Sequence, residues 1–331
     1  MKLVDSQIRL YPALPAPSRP VADPRRHARL ERWLRWAAAE WWLNLLFFAS
    51  RRFPYALQRG RPYLATGAWA TSHYFQDNIL PNARWLLGER STTRQRADLG
   101  RAVVSNFFAF VCDVGQSVGH SRKRLLERIA SVEEEEKYQT ARATRNGAIV
   151  LTAHMGSFEV GMASLLEREQ RVHVVFRRDS FGLFERTRSR LRAQLGVIEH
   201  CVDDGLATWM RLRDALEADE VVLVQGDRVM PGQKGRRVTM LGGHVVLPTG
   251  PLRLALATGA PIIPIFSIRQ PCGKIRLFIE EPIYVDDPQT FETGLEAIRA
   301  VIERYLKRFP DQWLMIHRAW CEDALPPDTG L

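Results

Sequence analysis

His154 and Glu159 are the residues of this 331-residue chain whose types and spacing most plainly permit chemistry. They lie in AIVLTAHMGSFEVGM, residues 148–162. AIVLT is a short apolar run suited to a buried strand, Gly156 and Ser157 make a turn, and a helix opens at Phe158 and Glu159. His154 is therefore expected just past the C-terminal end of a strand, where open α/β sheets place their sites. A neutral imidazole there can take a proton from an alcohol or amine as it attacks a carbonyl. A carboxylate near its other ring nitrogen fixes the tautomer and stabilises the imidazolium, and the loop lets Glu159 fold back toward His154. No serine or cysteine nucleophile is required, because the acceptor substrate can be the nucleophile.

The spacing alone is weak. His317 and Glu322 repeat it in HRAWCE, and eight histidines against 37 acidic residues give about one chance match. The setting separates the two pairs. His154 lies on a strand–turn–helix junction among small residues, whereas His317 lies in a C-terminal stretch with Trp313 and Trp320, where packing or surface polarity accounts for it. The acidic run Glu133–Glu136 reads as the solvated first turn of a helix over 131–146, capped by Ser131 and ended by Gly147, and not as a metal site. Cys112, Cys201, Cys272 and Cys321 lie too far apart for metal-ligand or redox spacing, so reduced thiols in a cytosolic compartment are expected. No cofactor is called for.

The elements that must position His154 follow from the pattern around it. A helix over 91–112, with Ser91 as a possible cap, shows Val103, Val104, Phe107 and Phe108 on one face. After AIVLT the chain alternates: a helix to Arg168, strand 172–176, helix 181–195, strand 197–201, helix 205–218, strand 221–225, helix 250–258, strands 261–266 and 274–280, and helix 288–308. Gly242-Gly243 reads as a turn between two strands. This alternation predicts an α/β fold with a mostly parallel central sheet flanked by helices, over residues 91–322. A Pro-rich, disordered tail (1–28), an N-terminal helical region (29–90) and a short C-terminal tail (323–331) complete the expected organisation.

The net charge is +10, which calls for an anionic partner: nucleic acid, anionic lipid, or a phosphorylated substrate or carrier. No nucleic-acid-binding motif accompanies the arginines, so nucleic acid drops out. Residues 29–52, RLERWLRWAAAEWWLNLLFFASRR, hold four of the nine tryptophans, with arginines at both ends. Their apolar stretch, broken by Glu40 and Asn44, is shorter than the roughly 20 residues of a spanning helix. Indoles favour the membrane–water boundary and arginines pair with lipid phosphates, so an interfacial helix on an anionic membrane surface is expected. A buried or partner-facing helix is the alternative. The first ten residues carry charge without an apolar core after it, so no secretory signal is expected.

Several blocks taken together carry a resemblance: AHMGSFEVG, VVFRRDSFGLFERTRSRLR, VQGDRV, LPTGPLRLALATGAPIIPIF and FPDQWLMIHRAW. In this order along the chain they resemble the bacterial lipid A late acyltransferases, of the wider lysophospholipid acyltransferase superfamily. The resemblance implies an acyltransferase at the cytoplasmic face of the bacterial inner membrane. The donor would be acyl-carrier protein or acyl-CoA, and the acceptor a hydroxyl of a lipid or glycolipid. It implies His154 as general base with Glu159 as its orienting carboxylate. It also implies substrate contacts from Arg177 and Arg178, from Asp227 and Arg228 of QGDRV, and from Thr249 and Gly250, whose helix N-terminus can face a phosphate. Without the resemblance, Arg177 reads more readily as a surface or ion-paired residue than as a substrate contact. Ser180-Phe181 and Gln225-Gly226 depart from the usual family words, which leaves the acceptor open. Two rivals stand beside this reading: a thioester hydrolase on the same dyad, and a non-enzymatic basic membrane adaptor.

Overall fold

A computed structural model describes residues 40–177, 182–229 and 233–320. The Pro-rich tail, Trp33, Trp36, Arg178, Cys321 and the C-terminal tail lie outside the described residues. The chain is helical over 40–52 (α1) and continues as α2 (Pro54–Thr71), α3 (His73–Leu87), α4 (Thr93–Ser117) and α5 (Arg122–Leu126). Then come β1 (Ile129–Glu133), α6 (Glu135–Arg142), β2 (Ala148–Thr152), α7 (Phe158–Arg168), β3 (Val172–Phe176), α8 (Gly182–Leu195) and β4 (Ile198–Cys201). The remainder is α9 (Leu206–Glu217), β5 (Val221–Gln225), the hairpin β6 (Gly235–Met240) and β7 (Gly243–Pro248), α10 (Gly250–Thr258), β8 (Ile262–Arg269), β9 (Ile275–Ile279) and α11 (Pro288–Arg308).

Seven strands form one sheet in the order β1-β9-β8-β2-β5-β3-β4. From β8 to β4 the neighbours are parallel, while β9 runs against β8 and carries β1 alongside it. The fold is the expected α/β arrangement with a mostly parallel sheet. Every residue of β2 is buried, as a central strand covered on both faces requires. Ile149 and Leu151 point into a core with Leu212 of α9, Leu252 of α10 and Ile302 of α11. Ala148 and Val150 point into the opposite core with Met162 of α7 and Leu191 of α8. The register Thr152↔Gln225 brings the C-terminal ends of β2 and β5 level, so the loops after them emerge side by side.

Two expected elements differ. Residues 129–133 form an edge strand and not the start of a helix over 131–146. Val132 and its neighbours pair with β9, and Glu133 bonds Arg276 at 2.8 Å. Backbone pairing with a sheet edge outweighs the weak helix preference of an acidic run. Glu134, at φ 59°, turns the chain into α6. The helix expected over 91–112 runs from Thr93 to Ser117, with Thr92 and Gln95 closing a capping box in place of a Ser91 cap. The turn expected at Gly242-Gly243 is present between β6 and β7. Leu241 and Gly242 supply the two left-handed residues of a tight hairpin, and Gly243 opens β7.

The N-terminal helices pack on α4. Trp69 of α2 lies so close to Gly100 that a Cβ there would fall 2.2 Å from its ring. Phe47 of α1 joins Phe110, Val114, Phe158, Phe184 and Leu314 in a cluster that reaches the loop carrying His154.

Candidate active site

The loop from β2 to α7 is fixed at each residue. Gly156 sits at φ 54°, and a Cβ there would lie 1.9 Å from the Ser267 carbonyl oxygen, so only glycine fits. The Gly156 N–H donates to the Gln312 carbonyl at 3.0 Å, and the Leu314 N–H donates to the His154 carbonyl at 2.7 Å. The buried Ser157 hydroxyl donates to Asp113 at 2.6 Å. Asp113 is in turn ion-paired with Arg128 and Arg269, which hold its carboxyl below the ordinary range against the effect of burial. His154 is thereby held above the C-terminal ends of β2 and β5.

Its partner is Asp227, at the end of β5. The imidazole Nδ1 lies 2.8 Å from one Asp227 oxygen, and the His154 backbone N–H donates to the other at 3.1 Å. The Trp313 indole N–H also donates to Asp227, at 2.8 Å. Burial alone would raise the pKa of this carboxyl. The His154 ring, the Trp313 donor and the Arg228 charge outweigh burial and hold it at about 2. A carboxylate only accepts, so Nδ1 carries the ring hydrogen and the Nε2 lone pair is the basic site. Burial lowers the pKa of His154, Asp227 opposes that, and Arg228 and Arg188 lower it further. The net direction is down, so the ring is neutral near pH 7. Its side chain stays 21% exposed, enough for Nε2 to meet a substrate.

Glu159 stands elsewhere. It is buried on the first turn of α7, where it accepts from Arg188 at 2.6 Å and lies 4.0 Å from the fully buried Arg192. Neither of its oxygens bonds the imidazole. The place expected for Glu159, beside the second ring nitrogen, is taken by Asp227. The reason is geometric: the helix starting at Phe158 carries Glu159 toward α8, while the short β5 loop delivers Asp227 directly beside the ring. Arg188 also lies over the Phe158 ring, which meets His154 edge-on at 6.0 Å, so Glu159 supports the site through these groups.

The other expected residues are spread along the same edge. Arg177 follows β3 and pairs with Asp203 at 3.4 Å, and Arg178 lies outside the described residues. Thr249 is buried, and its N–H donates to the Lys234 carbonyl at 3.2 Å. The Trp209 ring packs against Gly250, where a Cβ would lie 2.6 Å from it. Arg228 lies close enough for its charge to act on His154, Asp227, Tyr74 and His317. Sequence reasoning missed the Trp313 bond to Asp227 and the Tyr74 bond to His317, a residue it assigned to packing or surface polarity. The block that holds Trp313 and His317, FPDQWLMIHRAW, was part of the resemblance, and that was the available signal.

The geometry supplies a neutral, oriented base above the strand ends, beside a cluster of arginines. A search of the curated proteins finds no significant match. A family profile described as bacterial lipid A biosynthesis acyltransferase matches residues 25–322. With nearly its whole length covered, the chain belongs to the bacterial lipid A biosynthesis acyltransferase family and is an acyltransferase.

Proposed function

We propose that the chain transfers a fatty acyl group from a thioester of acyl-carrier protein or CoA to a hydroxyl of a lipid A precursor or related envelope lipid, with His154 as general base and Asp227 as its orienting carboxylate. The observation that carries this reading is the 2.8 Å contact between His154 Nδ1 and a buried Asp227, which leaves Nε2 as the base. Nε2 takes the hydroxyl proton as the oxygen attacks the thioester carbon. Asp227 stabilises the imidazolium that forms. Collapse of the tetrahedral intermediate breaks the C–S bond, and the sulfur leaves with the proton from His154. Arg177, Arg178 and Arg228, with the first turn of α10 at Thr249 and Gly250, would hold the anionic groups of donor and acceptor.

The test is to incubate purified protein with labelled acyl-carrier protein and fractionated host lipids, then identify the acylated lipid by mass spectrometry. A labelled lipid is expected. Free fatty acid as the sole product would replace transfer with thioester hydrolysis. The pH profile gives a second test. The base acts only when unprotonated, above its pKa, and a lowered pKa extends activity downward in pH. The acid limb of kcat/KM is therefore expected below the ordinary histidine value of 6.5. A limb above that value would contradict the assignment.

Membrane association belongs to the same proposal. Among the described residues, no helix is long and apolar enough to cross a membrane. On α1, Trp41, Trp42 and Phe48 are each about 60% exposed, and Phe53, Tyr55, Tyr63 and Leu64 extend the exposed apolar surface onto α2. So much exposed aromatic surface on adjoining helices suits the bilayer interface, with Arg51 and Arg52 beside it for anionic headgroups. The enzyme would then lie on the cytoplasmic face of the inner membrane, where acyl thioesters are available. Combined replacement of Trp41, Trp42 and Phe48 by serine is expected to release the protein from phosphatidylglycerol-containing vesicles in a sedimentation assay. Undiminished sedimentation would defeat this part of the reading.

A further inference from the structure

Tyr74 of α3 and His317 are 243 residues apart and meet at 2.6 Å, phenol oxygen to Nδ1. The backbone around His317 is clamped by the same helix. Buried Asn82 donates to the His317 carbonyl at 2.7 Å and accepts from the Ala319 N–H at 3.0 Å. The Arg318 guanidinium donates to the Asp77 carbonyl at 3.1 Å, and Trp85 stacks on Trp320. The ring of His317 is thus held in place although the segment around it has no regular secondary structure.

A phenol is the stronger donor and an imidazole nitrogen the stronger acceptor of this pair, so the Tyr74 hydroxyl donates and Nδ1 of His317 accepts. The ring hydrogen therefore sits on Nε2. Among the described residues the ring's hydrogen bond is the one through Nδ1, and the residue is exposed. Partial burial of the ring, then the charge of Arg228, push His317 down to about 4, so it is neutral at pH 7. Its segment borders the catalytic site: Leu314, three residues earlier, donates its N–H to the His154 carbonyl at 2.7 Å, and the Trp313 indole bonds Asp227 at 2.8 Å. The chain thus presents two neutral imidazoles there in opposite tautomers: His154 offers a lone pair, and His317 offers an N–H.

We propose that His317 is a second catalytic residue, whose Nε2–H donates to the thioester carbonyl oxygen as it becomes the tetrahedral oxyanion. This rests on the acyl-transfer reading above. As the hydroxyl oxygen bonds the carbonyl carbon and His154 takes its proton, the carbonyl π pair moves onto oxygen and is met by the His317 N–H. Collapse restores the carbonyl, breaks the C–S bond and returns the His154 proton to sulfur, while the His317 hydrogen never transfers. A neutral donor suits the place, because a second imidazolium would oppose the positive charge forming on His154.

His317→Ala, His317→Gln and Tyr74→Phe, with His154→Ala alongside, are to be assayed with dodecanoyl-acyl-carrier protein and a lipid A precursor. A lost oxyanion donor costs about 10²–10³ in kcat, so His317→Ala is expected to fall by that factor with KM within about threefold of wild type. Glutamine offers an N–H at similar reach, and His317→Gln is expected to keep at least about a tenth of the wild-type kcat. Tyr74→Phe frees the tautomer and is expected to lower kcat about tenfold with KM unchanged. A folded His317→Ala with wild-type kcat overturns the proposal, as does a loss confined to KM or a glutamine variant no better than alanine. If His317→Ala does not fold, a wild-type kcat in Tyr74→Phe overturns it. Absence of transfer by wild type, or transfer by His154→Ala, would instead overturn the acyl-transfer reading.

Discussion

Replacing His154 with alanine is expected to cost at least about 100-fold in the rate of acyl transfer, and up to about 10⁴-fold, the usual worth of a positioned general base. The expectation rests on the ring's lack of an evident substitute. His317 lies on the same face, but its Nδ1 accepts from Tyr74 and its Nε2 carries the hydrogen, so it has no lone pair to offer. The loop should survive the change, because its backbone is held by Gln312, Leu314, Asp227 and the Ser157–Asp113 bond independently of the imidazole. A folded variant with an unchanged melting temperature and unimpaired transfer of label from acyl-carrier protein to lipid would refute the mechanism. So would a loss confined to KM, since a base acts in the transition state.

Asp227→Asn is expected to be nearly as damaging, about 10²–10⁴-fold in kcat, by the wrong-tautomer argument known for hydrolase triads. The carboxylate accepts from the His154 backbone N–H, the Trp313 indole and the imidazole Nδ1. An asparagine has only one acceptor oxygen. If the oxygen stays with the backbone and Trp313 donors, the amide NH₂ faces Nδ1. That nitrogen must then accept, and the ring hydrogen moves to Nε2, where the base is needed. Lost stabilisation of the imidazolium adds to the effect. Glu159→Gln is the informative control. Glu159 compensates Arg188 and the buried Arg192, and breaking such a pair costs about 3–5 kcal/mol. Its main effect is expected in the melting temperature. A pattern in which Asp227→Asn keeps kcat while a folded Glu159→Gln loses it would assign the orienting role to Glu159.

Much of the fold was legible in the sequence because β2, β3 and β5 are short, apolar and β-branched, and β2, β3 and β4 are each followed by a helical pattern. Local periodicity determines elements of that kind, and their alternation leaves a mostly parallel sheet as the solution. The strand over 129–133 was not legible. Its Ser-Val-Glu composition resembles a helix start, and pairing with β9, far away in sequence, decided it.

The sequence by itself also pointed to His154 as the proposed base. A histidine on a strand–turn–helix junction with a glycine two residues later is a local feature, whereas the Ser267 carbonyl that excludes a Cβ at Gly156 is brought there by the tertiary fold. It determined, through the ordered blocks, the family to which the chain belongs. Which carboxylate faces the imidazole was decided only in three dimensions. Five residues separate Glu159 from His154 and seventy-three separate Asp227, yet helix geometry turns the first toward α8 while strand register brings β5 level with β2. The Trp313–Asp227 bond and the Tyr74–His317 contact likewise arise only in three dimensions, since they depend on a C-terminal segment folding back over the β2 loop and under α3. A hydrogen bond is set by distance in space, and spacing along the chain reports that distance only within a single element.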